Sequence, residues 1–241
     1  MIDISQALQH PTEDRNWPIK ILIGALISLV PILNFALTGF LVEHLQNSAA
    51  GSPTPLPSWD KLGRKMLAGL KILVVQIVFA LPILVPSCAL LAFVVQQAAA
   101  RSGESLPQNV LFGTSIIGLA LACFALLYGL FLTYLFPAIL IQFAKTQQIG
   151  SCLRIGELLS IARVNTGDYL LIIVMAIVVQ FVVGVVSTAL SFIPCLGAVL
   201  VLVLAPLAAL YIGLVLVNMT GQYVYSNSIV LVNHLVLTSP R

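Results

Sequence analysis

Charged side chains are scarce in this sequence. Asp, Glu, Lys and Arg make up 8% of the 241 residues, whereas hydrophobic residues make up 60%. A soluble globular domain carries roughly 25% charged residues, so this chain cannot cover a globule of its size with a hydrated surface. Intrinsic disorder is excluded too, because it requires low hydrophobicity and high net charge. The composition therefore predicts an all-α integral membrane protein.

Clusters of metal-binding or catalytic residues are also missing from the sequence. The four cysteines, Cys88, Cys123, Cys152 and Cys195, are widely separated, and no C-x-x-C pair or Cys/His cluster occurs. His44, just after the first apolar stretch, is interpreted as a solvated loop residue rather than a haem ligand. The net charge of +3 is too small for a nucleic-acid partner. We therefore predict no cofactor, no metal and no nucleic acid.

Charge is absent from four long stretches, which are residues 21–42, 72–100, 105–144 and 169–240. A membrane-spanning helix needs about 20 mostly apolar residues, and an open sheet in lipid would leave backbone groups unpaired. The last stretch is divided near Pro194 and Gly197, where a helix should break. These stretches predict five spans in one transmembrane domain, residues 19–222, between a polar N-terminal segment, residues 1–18, and a tail, residues 223–241. The spans lie near residues 21–42, 72–95, 110–141, 169–190 and 198–217.

The basic residues suggest an orientation for these five spans. One side of the membrane would receive eight Lys and Arg residues and the other side three. Because positive residues favour the cytoplasmic side, we expect a multi-pass protein of the cell (inner) membrane with its N-terminus outside and its C-terminus in the cytoplasm. Pro31 and Asn34 interrupt the first span. If that segment is re-entrant, the N-terminus moves to the cytoplasm.

Two cytoplasmic loops carry helical apolar patterns, near residues 58–70 and 151–163. In the first, Trp59 begins an apolar face, while Lys61, Arg64 and Lys65 lie on the other side. This pattern is typical of an amphipathic helix in the headgroup plane. It would either recognise an anionic lipid or partner, or simply fix how the next span enters the membrane. Each such helix precedes two spans, which suggests a parallel internal repeat.

Small residues recur at four-residue spacing in two of the predicted spans. Such faces let helix backbones approach closely, and they could pack within the fold or dock a neighbouring subunit. The third span carries Ala125, Gly129 and Thr133, and the fifth carries Ala205, Ala209 and Gly213.

Several motifs resemble a family of bacterial and archaeal polytopic membrane proteins that is known only as a domain of unknown function. The most specific is P-L-P-x-W-D at residues 55–60, after W-P-I-K-I-L-I-G at 17–24 and L-V-P-I-L-N at 29–34. Later matches are F-P-A at 136–138, N-T-G-D-Y at 165–169 and G-Q at 221–222. The resemblance covers residues 17–223 and implies a membrane protein with interfacial helices. It carries over no catalytic or binding residues.

The predicted spans contain no charged residue, which argues against proton or metal transport. No nucleophile–base set can be assembled either, so a membrane enzyme is disfavoured. We therefore expect an accessory or scaffold subunit that contacts the lipid bilayer and other membrane-protein subunits. The alternative is a transporter or channel for a neutral or lipid-like substrate, with a cavity lined by Asn34, Gln76 or Gln180.

Overall fold

A computed structural model describes residues 2–30, 32–52, 56–99, 108–192 and 196–228. The structure is 86% helical, and the described residues contain no strand, which confirms the all-α prediction. A 3-10 segment, His10–Glu13, follows the first helix. The α-helices in chain order are α1 Ile4–Gln9, α2 Trp17–Ser28, α3 Asn34–Ala49, α4 Leu62–Ala99, α5 Gln108–Thr146, α6 Ile149–Cys152, α7 Ile155–Arg163, α8 Thr166–Ser191 and α9 Leu196–Ser226.

Four of these helices are long and apolar enough to cross a membrane. The qualifying stretches are Leu62–Val95 in α4, Ile116–Thr146 in α5, Thr166–Leu190 in α8 and Leu204–Ser226 in α9. Each contains more than the roughly 20 residues that a bilayer requires. The length and composition of these four helices are those of a membrane protein.

The first predicted span, residues 21–42, differs in the structure. It is divided into α2, which has 12 residues, and α3, which has 16. A 12-residue helix extends only about 18 Å, whereas the hydrocarbon core is about 30 Å thick. The physical reason for the break is Pro31, which lacks an N–H donor and clashes with the preceding turn of a helix. Pro31 itself lies outside the described residues.

The other four predicted spans fall within α4, α5, α8 and α9, although these helices are longer than predicted. Helix α5 continues through Pro137 to Thr146, and α9 includes the first residues of the predicted tail and ends at Ser226. The divide between α8 and α9 lies where the Pro194 and Gly197 signal places it, with residues 193–195 outside the described part. The internal repeat stays a prediction.

The chain forms two compact units. Unit 1 comprises Met1–Val74 and Leu135–Arg241, and unit 2 comprises Val75–Tyr134. In unit 1, α2 and α3 pack on the second half of α9, and α3 runs parallel to α9, because Leu41 lies by Gly213 and Ser48 by Gly221. The apolar cluster at this junction consists of Ile21, Phe40, Leu56, Leu210 and Leu214, with Trp17 and Trp59 packed against it.

In unit 2, the Tyr128 hydroxyl donates to the Phe79 carbonyl at 2.9 Å. Phe124 stacks on Tyr128 with the ring centres 5.7 Å apart. These contacts join the unit 2 portions of α4 and α5.

Candidate functional site

The predicted interfacial helix near residues 58–70 is not a separate element. Helix α4 begins at Leu62 and continues without interruption to Ala99. Lys61 has a φ of 56°, a left-handed conformation that is incompatible with a right-handed helix. Residues 58–61 are therefore a non-helical entry to α4 rather than its first turn.

Trp59 is packed within unit 1. Its ring stacks on Phe40 with a centre distance of 4.3 Å and an interplanar angle of 11°. Its indole N–H donates to the Lys20 carbonyl at 2.8 Å. The Lys20 ammonium in turn donates to the Leu56 carbonyl at 2.9 Å. These contacts tie the P-L-P-x-W-D segment to α2 and α3.

Lys65 is buried, contrary to its predicted position on a solvated face. Its ammonium pairs with Glu43 of α3 and lies 5.5 Å from the centre of the Phe40 ring. Arg64 is exposed, with a guanidinium nitrogen 3.9 Å from the same carboxylate, and Lys61 is exposed as well. The leucines of this segment, Leu62, Leu67 and Leu70, are all exposed, as an apolar face turned to the membrane would be.

The pair between Lys65 and Glu43 lies at a close crossing of α3 and α4. A Cβ atom added at Gly39 would collide with the Lys65 backbone, and one added at Gly69 would collide with the Phe35 carbonyl. Reciprocal glycines of this kind allow two helix backbones to approach. The salt bridge and the glycines therefore fix the same junction, one by charge and the other by shape.

Asp14 and Lys20 form a second ion pair, which is partly buried, with a distance of 2.7 Å between the carboxylate and the ammonium. Burial acts to raise the pKa of Asp14, but the hydrogen bond from Lys20, the Asn16 N–H and the Lys20 charge outweigh it. The net result is that the Asp14 pKa lies below its ordinary value.

The second predicted interfacial segment, residues 151–163, consists of two short helices, α6 and α7. Leu158, Ile161 and Ala162 are buried, and Arg154 pairs with Glu157 at 2.9 Å. The Gln142 amide of α5 also donates to Glu157 at 2.9 Å. The buried side of α7 thus packs in unit 1.

Cys152, at the end of α6, has a raised thiol pKa. Burial raises this pKa, and the opposing effect of a hydrogen bond from Ser151 is smaller.

Two fully buried tyrosines join α5, α7, α8 and α9. Tyr169 and Tyr223 meet edge to face with ring centres 5.7 Å apart. The Tyr169 hydroxyl accepts the Ala138 N–H at 3.2 Å, directly after Pro137. The Tyr223 hydroxyl donates to the Ile161 carbonyl at 2.6 Å. Tyr169 therefore satisfies a backbone donor next to the proline in α5.

A cleft of about 350 Å³ lies in unit 1 between α1, the end of α3 and the end of α9. We call it the polar cleft because most of its side chains carry amide or hydroxyl groups. Its lining residues are Gln6, His10, Ser48, Gly51, Ser52, Asn218, Gln222, Tyr225 and Ser226. A second cleft of about 280 Å³, the charged cleft, contains Glu43, Arg64 and Lys65.

His44 is fully buried, which corrects its interpretation as a solvated loop residue. The reason is that α3 continues past the predicted end of the first span and packs along α9. The His44 ring lies 6.2 Å from that of His10, whose Nδ1 is 3.0 Å from Glu13. Among the described residues, no three His, Cys, Asp or Glu side chains group in a way that could hold a metal ion.

The sequence matches the family described as "Protein of unknown function (DUF4013)" over residues 23–192. The chain belongs to this family. The match confirms the resemblance, although it is shorter than the expected 17–223. Among curated proteins and among solved structures, no chain matches.

The DUF4013 match includes Trp59 of P-L-P-x-W-D and Tyr169 of N-T-G-D-Y, and both side chains hold helices together in unit 1. Trp59 connects α2, α3 and the entry to α4, whereas Tyr169 connects α5 and α8. These family-motif residues therefore have structural contacts of their own.

The predicted small-residue faces lie in different surroundings. On α9, Gly213 packs on Leu41 of α3, with a Cβ position 3.3 Å from that side chain, while Ala205 is half-buried and Ala209 is exposed. On α5, Ala125, Gly129 and Thr133 are half-buried, and a Cβ at Gly129 would meet nothing within 4 Å.

Sequence reasoning missed the glycines at the tightest contacts, which are Gly24, Gly39, Gly69 and Gly221. Two of them stood in motifs already noted, since Gly24 ends W-P-I-K-I-L-I-G and Gly221 begins G-Q. Gly39 and Gly69 carried no such signal. They also do not follow the four-residue spacing that drew attention to the other faces.

Proposed function

We propose that this DUF4013 chain is a non-enzymatic accessory or scaffold subunit of a larger membrane complex. The observation that carries the proposal is the open face of α5 at Gly129, where an added Cβ would meet nothing. Ala125 and Thr133 lie one turn to either side. In lipid, such small residues allow another helix to pack closely. The proposed partner is a transmembrane helix of another subunit.

The surroundings of this face support the proposal. In the most apolar 18-residue stretch of α5 no residue is buried, and Leu119, Leu126 and Leu127 are more than 60% exposed. By helix geometry, Leu119 and Leu126 lie about 60–80° from Gly129 on one side of the small-residue face, whereas Leu127 is nearly opposite. The small size of its side chains is what distinguishes this face from the rest of the exposed surface of α5.

The test is a comparison of two substitutions on opposite faces of α5. Gly129→Leu adds bulk to the small-residue face, whereas Ala120→Leu adds it about 180° away around the helix. We expect wild type and Ala120→Leu to co-purify with the same subunits from native membranes in mild detergent. Gly129→Leu should lose them while keeping its own thermal stability. Equal recovery with both variants, or elution of the wild type alone, would contradict the proposal.

We also propose that both ends of the chain lie in the cytoplasm of a bacterial-type inner membrane. With four spans, ten of the eleven basic residues lie on one side and only Arg101 on the other, which is a stronger asymmetry than five spans give. The packing of the N-terminal residues supports this, because the Asp3 N–H donates to Gln222 near the end of α9 at 2.9 Å. A segment outside the cell could not make that contact.

Cysteine labelling tests the orientation. In a cysteine-free background, Ser5→Cys and Gly63→Cys should both resist an impermeant thiol reagent in intact cells and react after permeabilisation. Ser102→Cys, between α4 and α5, should react in intact cells. Labelling of Ser5→Cys from outside would restore the five-span arrangement.

The transporter hypothesis stays a second prediction. Asn34, Gln76 and Gln180 are each exposed, and none of them lines the polar or the charged cleft. Uptake of a neutral substrate into proteoliposomes that depends on one of these three residues would favour transport over the subunit role.

A further inference from the structure

We propose that the polar cleft binds a neutral polyhydroxylated group, such as a sugar ring. The inference is independent of the subunit proposal, since it rests on unit 1 alone. Six residues carry it: three amides, Gln6, Asn218 and Gln222; two hydroxyls, Ser48 and Ser52; and one aromatic ring, Tyr225. Its volume of about 350 Å³ is at the lower end of small-molecule sites.

The amides at the base of the cleft are held in fixed orientations. Gln222 accepts the Asp3 N–H through Oε1 at 2.9 Å and donates through Nε2 to Asn218 Oδ1 at 2.9 Å. Asn218, which is buried, donates to the Ser48 hydroxyl at 3.3 Å. Because Ser48 accepts in this chain, its own proton is available to a ligand. Preorganised groups of this kind lower the entropic cost of binding.

The charge of the lining selects a neutral ligand. The described residues that line the polar cleft include neither a carboxylate nor an ammonium or guanidinium group, and the imidazole among them, His10, lies 3.0 Å from Glu13. The charged cleft in the same unit contains Glu43, Arg64 and Lys65. Helices α3 and α9 both end beside the polar cleft, at Ala49 and Ser226. Several of the last carbonyls are already hydrogen-bonded, such as that of Ser48 to the Gly51 N–H, but the C-terminal end of a helix still carries a partial negative charge. That charge disfavours a phosphate or carboxylate ligand.

Tyr225 provides an apolar surface at the mouth of the cleft. Part of its ring rests by Gly51, with Cε2 3.3 Å from the Cβ position, and the side chain is 63% exposed. Gly51 has a φ of 65°, which a glycine adopts without strain. A ring in this position can cover the C–H face of a sugar while the Gln6 amide and the serine hydroxyls bind its oxygens; both Nε2 protons of Gln222 are already donated, to Asn218 and to the Asp3 carbonyl. The chemistry is the same for a free sugar and for the headgroup of a glycolipid.

Binding can be measured with the full chain in phosphatidylcholine nanodiscs. The probes are maltose in solution and monoglucosyl diacylglycerol in the disc, with diacylglycerol and phosphatidylglycerol as controls, detected by native mass spectrometry. We expect saturable binding of at least one glucosyl probe and none of the two controls. Binding of both probes indicates recognition of the sugar itself, and binding of the lipid alone indicates a membrane-borne ligand. Binding of neither probe, or equal binding of a control, overturns the proposal.

Substitutions then assign the binding to the polar cleft. Gln6→Leu removes an exposed cleft amide, while Gln9→Leu makes the same change on α1 outside the cleft. The loss of one amide should weaken binding about fivefold, and Gln9→Leu should leave it unchanged. Tyr225→Leu, at another exposed position, should weaken binding by a similar factor. Unchanged affinity in both cleft variants would overturn the assignment.

Discussion

The two compact units of this chain differ in what surrounds their side chains. Unit 1 contains all of the largest fully buried side chains, including Phe40, Tyr169 and Tyr223. It also holds every charged residue of the sequence except Arg101 and Glu104. In unit 2, apolar side chains such as Leu119 and Leu127 are largely exposed, as they also are along α8 of unit 1, where Phe181 is 71% exposed. Unit 1 thus combines a packed, charge-bearing region with an exposed apolar surface, whereas the described part of unit 2 shows mainly the latter.

Because of this difference, the same type of residue has different surroundings in the two units. Gly69 of unit 1 lies against a backbone carbonyl, while Gly129 of unit 2 faces open space. Tyr169 of unit 1 is fully buried, while Tyr128 of unit 2 is only half-buried. Such matched residues allow the comparison to be tested by identical substitutions. Both tryptophans belong to the cluster in unit 1, so intrinsic fluorescence follows the unfolding of that unit.

The largest effect is expected from Glu43→Gln, which removes the charge that pairs with buried Lys65. Breaking a buried ion pair typically costs 3–5 kcal/mol, and we expect about 3 kcal/mol because Glu43 is partly exposed. Thermal unfolding in detergent, followed by tryptophan emission, measures the loss. Glu13→Gln is the control, since Glu13 is 57% exposed and an exposed pair contributes little. Similar unfolding temperatures for wild type and Glu43→Gln would show that Lys65 gains nothing from its partner.

The next largest effect is expected from replacing a glycine by alanine, which should destabilise unit 1 but not unit 2. Gly69→Ala forces α3 and α4 apart, because the new methyl group meets the Phe35 carbonyl, and overpacking of this kind costs about 1–3 kcal/mol. Gly129→Ala should be neutral or slightly stabilising, since alanine favours a helix more than glycine does. Unfolding temperatures of the two variants provide the measurement. A loss of stability in Gly129→Ala would mean that its face is occupied within the chain.

The all-helical class and the positions of α4, α5, α8 and α9 could be predicted from sequence. The length of each uncharged stretch is enough to predict these features, because a bilayer requires a span to be helical, long and apolar. Pro31 and Asn34 were also recognised as an interruption. What the pattern could not show was that α2 and α3 would become two helices packed on α9.

The contents of unit 1 could not be predicted in this way, because they depend on partners that are distant in sequence. Lys65 pairs with a residue 22 positions away, and a helical pattern places any lysine on the polar face. The polar cleft brings Gln6 next to Gln222. Local periodicity contains no information about either encounter. The first is created by the crossing of α3 and α4, and the second by the packing of α1 and α3 on α9.

A smaller difference is expected between two tyrosine hydroxyls. Tyr169→Phe removes the buried hydroxyl that accepts the Ala138 N–H, and loss of such a hydrogen bond costs about 1.5 kcal/mol. Tyr128→Phe removes a bond to the Phe79 carbonyl, and interhelical bonds in membranes average about 0.6 kcal/mol. Urea or heat unfolding of both variants in the same detergent measures the difference. Equal losses would show that burial of the hydroxyl does not determine its contribution.

The smallest expected effect is the change in the stability of unit 1 with pH that results from the Asp14 carboxylate. Because its pKa is lowered from an ordinary value of 3.8, the carboxylate stabilises the folded state above that pH. The contribution is lost as the pH falls through the lower folded pKa. Asp14→Asn should therefore cost about 1 kcal/mol at pH 7 and lose less stability than wild type between pH 5 and 3. Tryptophan emission gives both profiles, and parallel curves for the two proteins would show that the pair with Lys20 does not link unit 1 to pH.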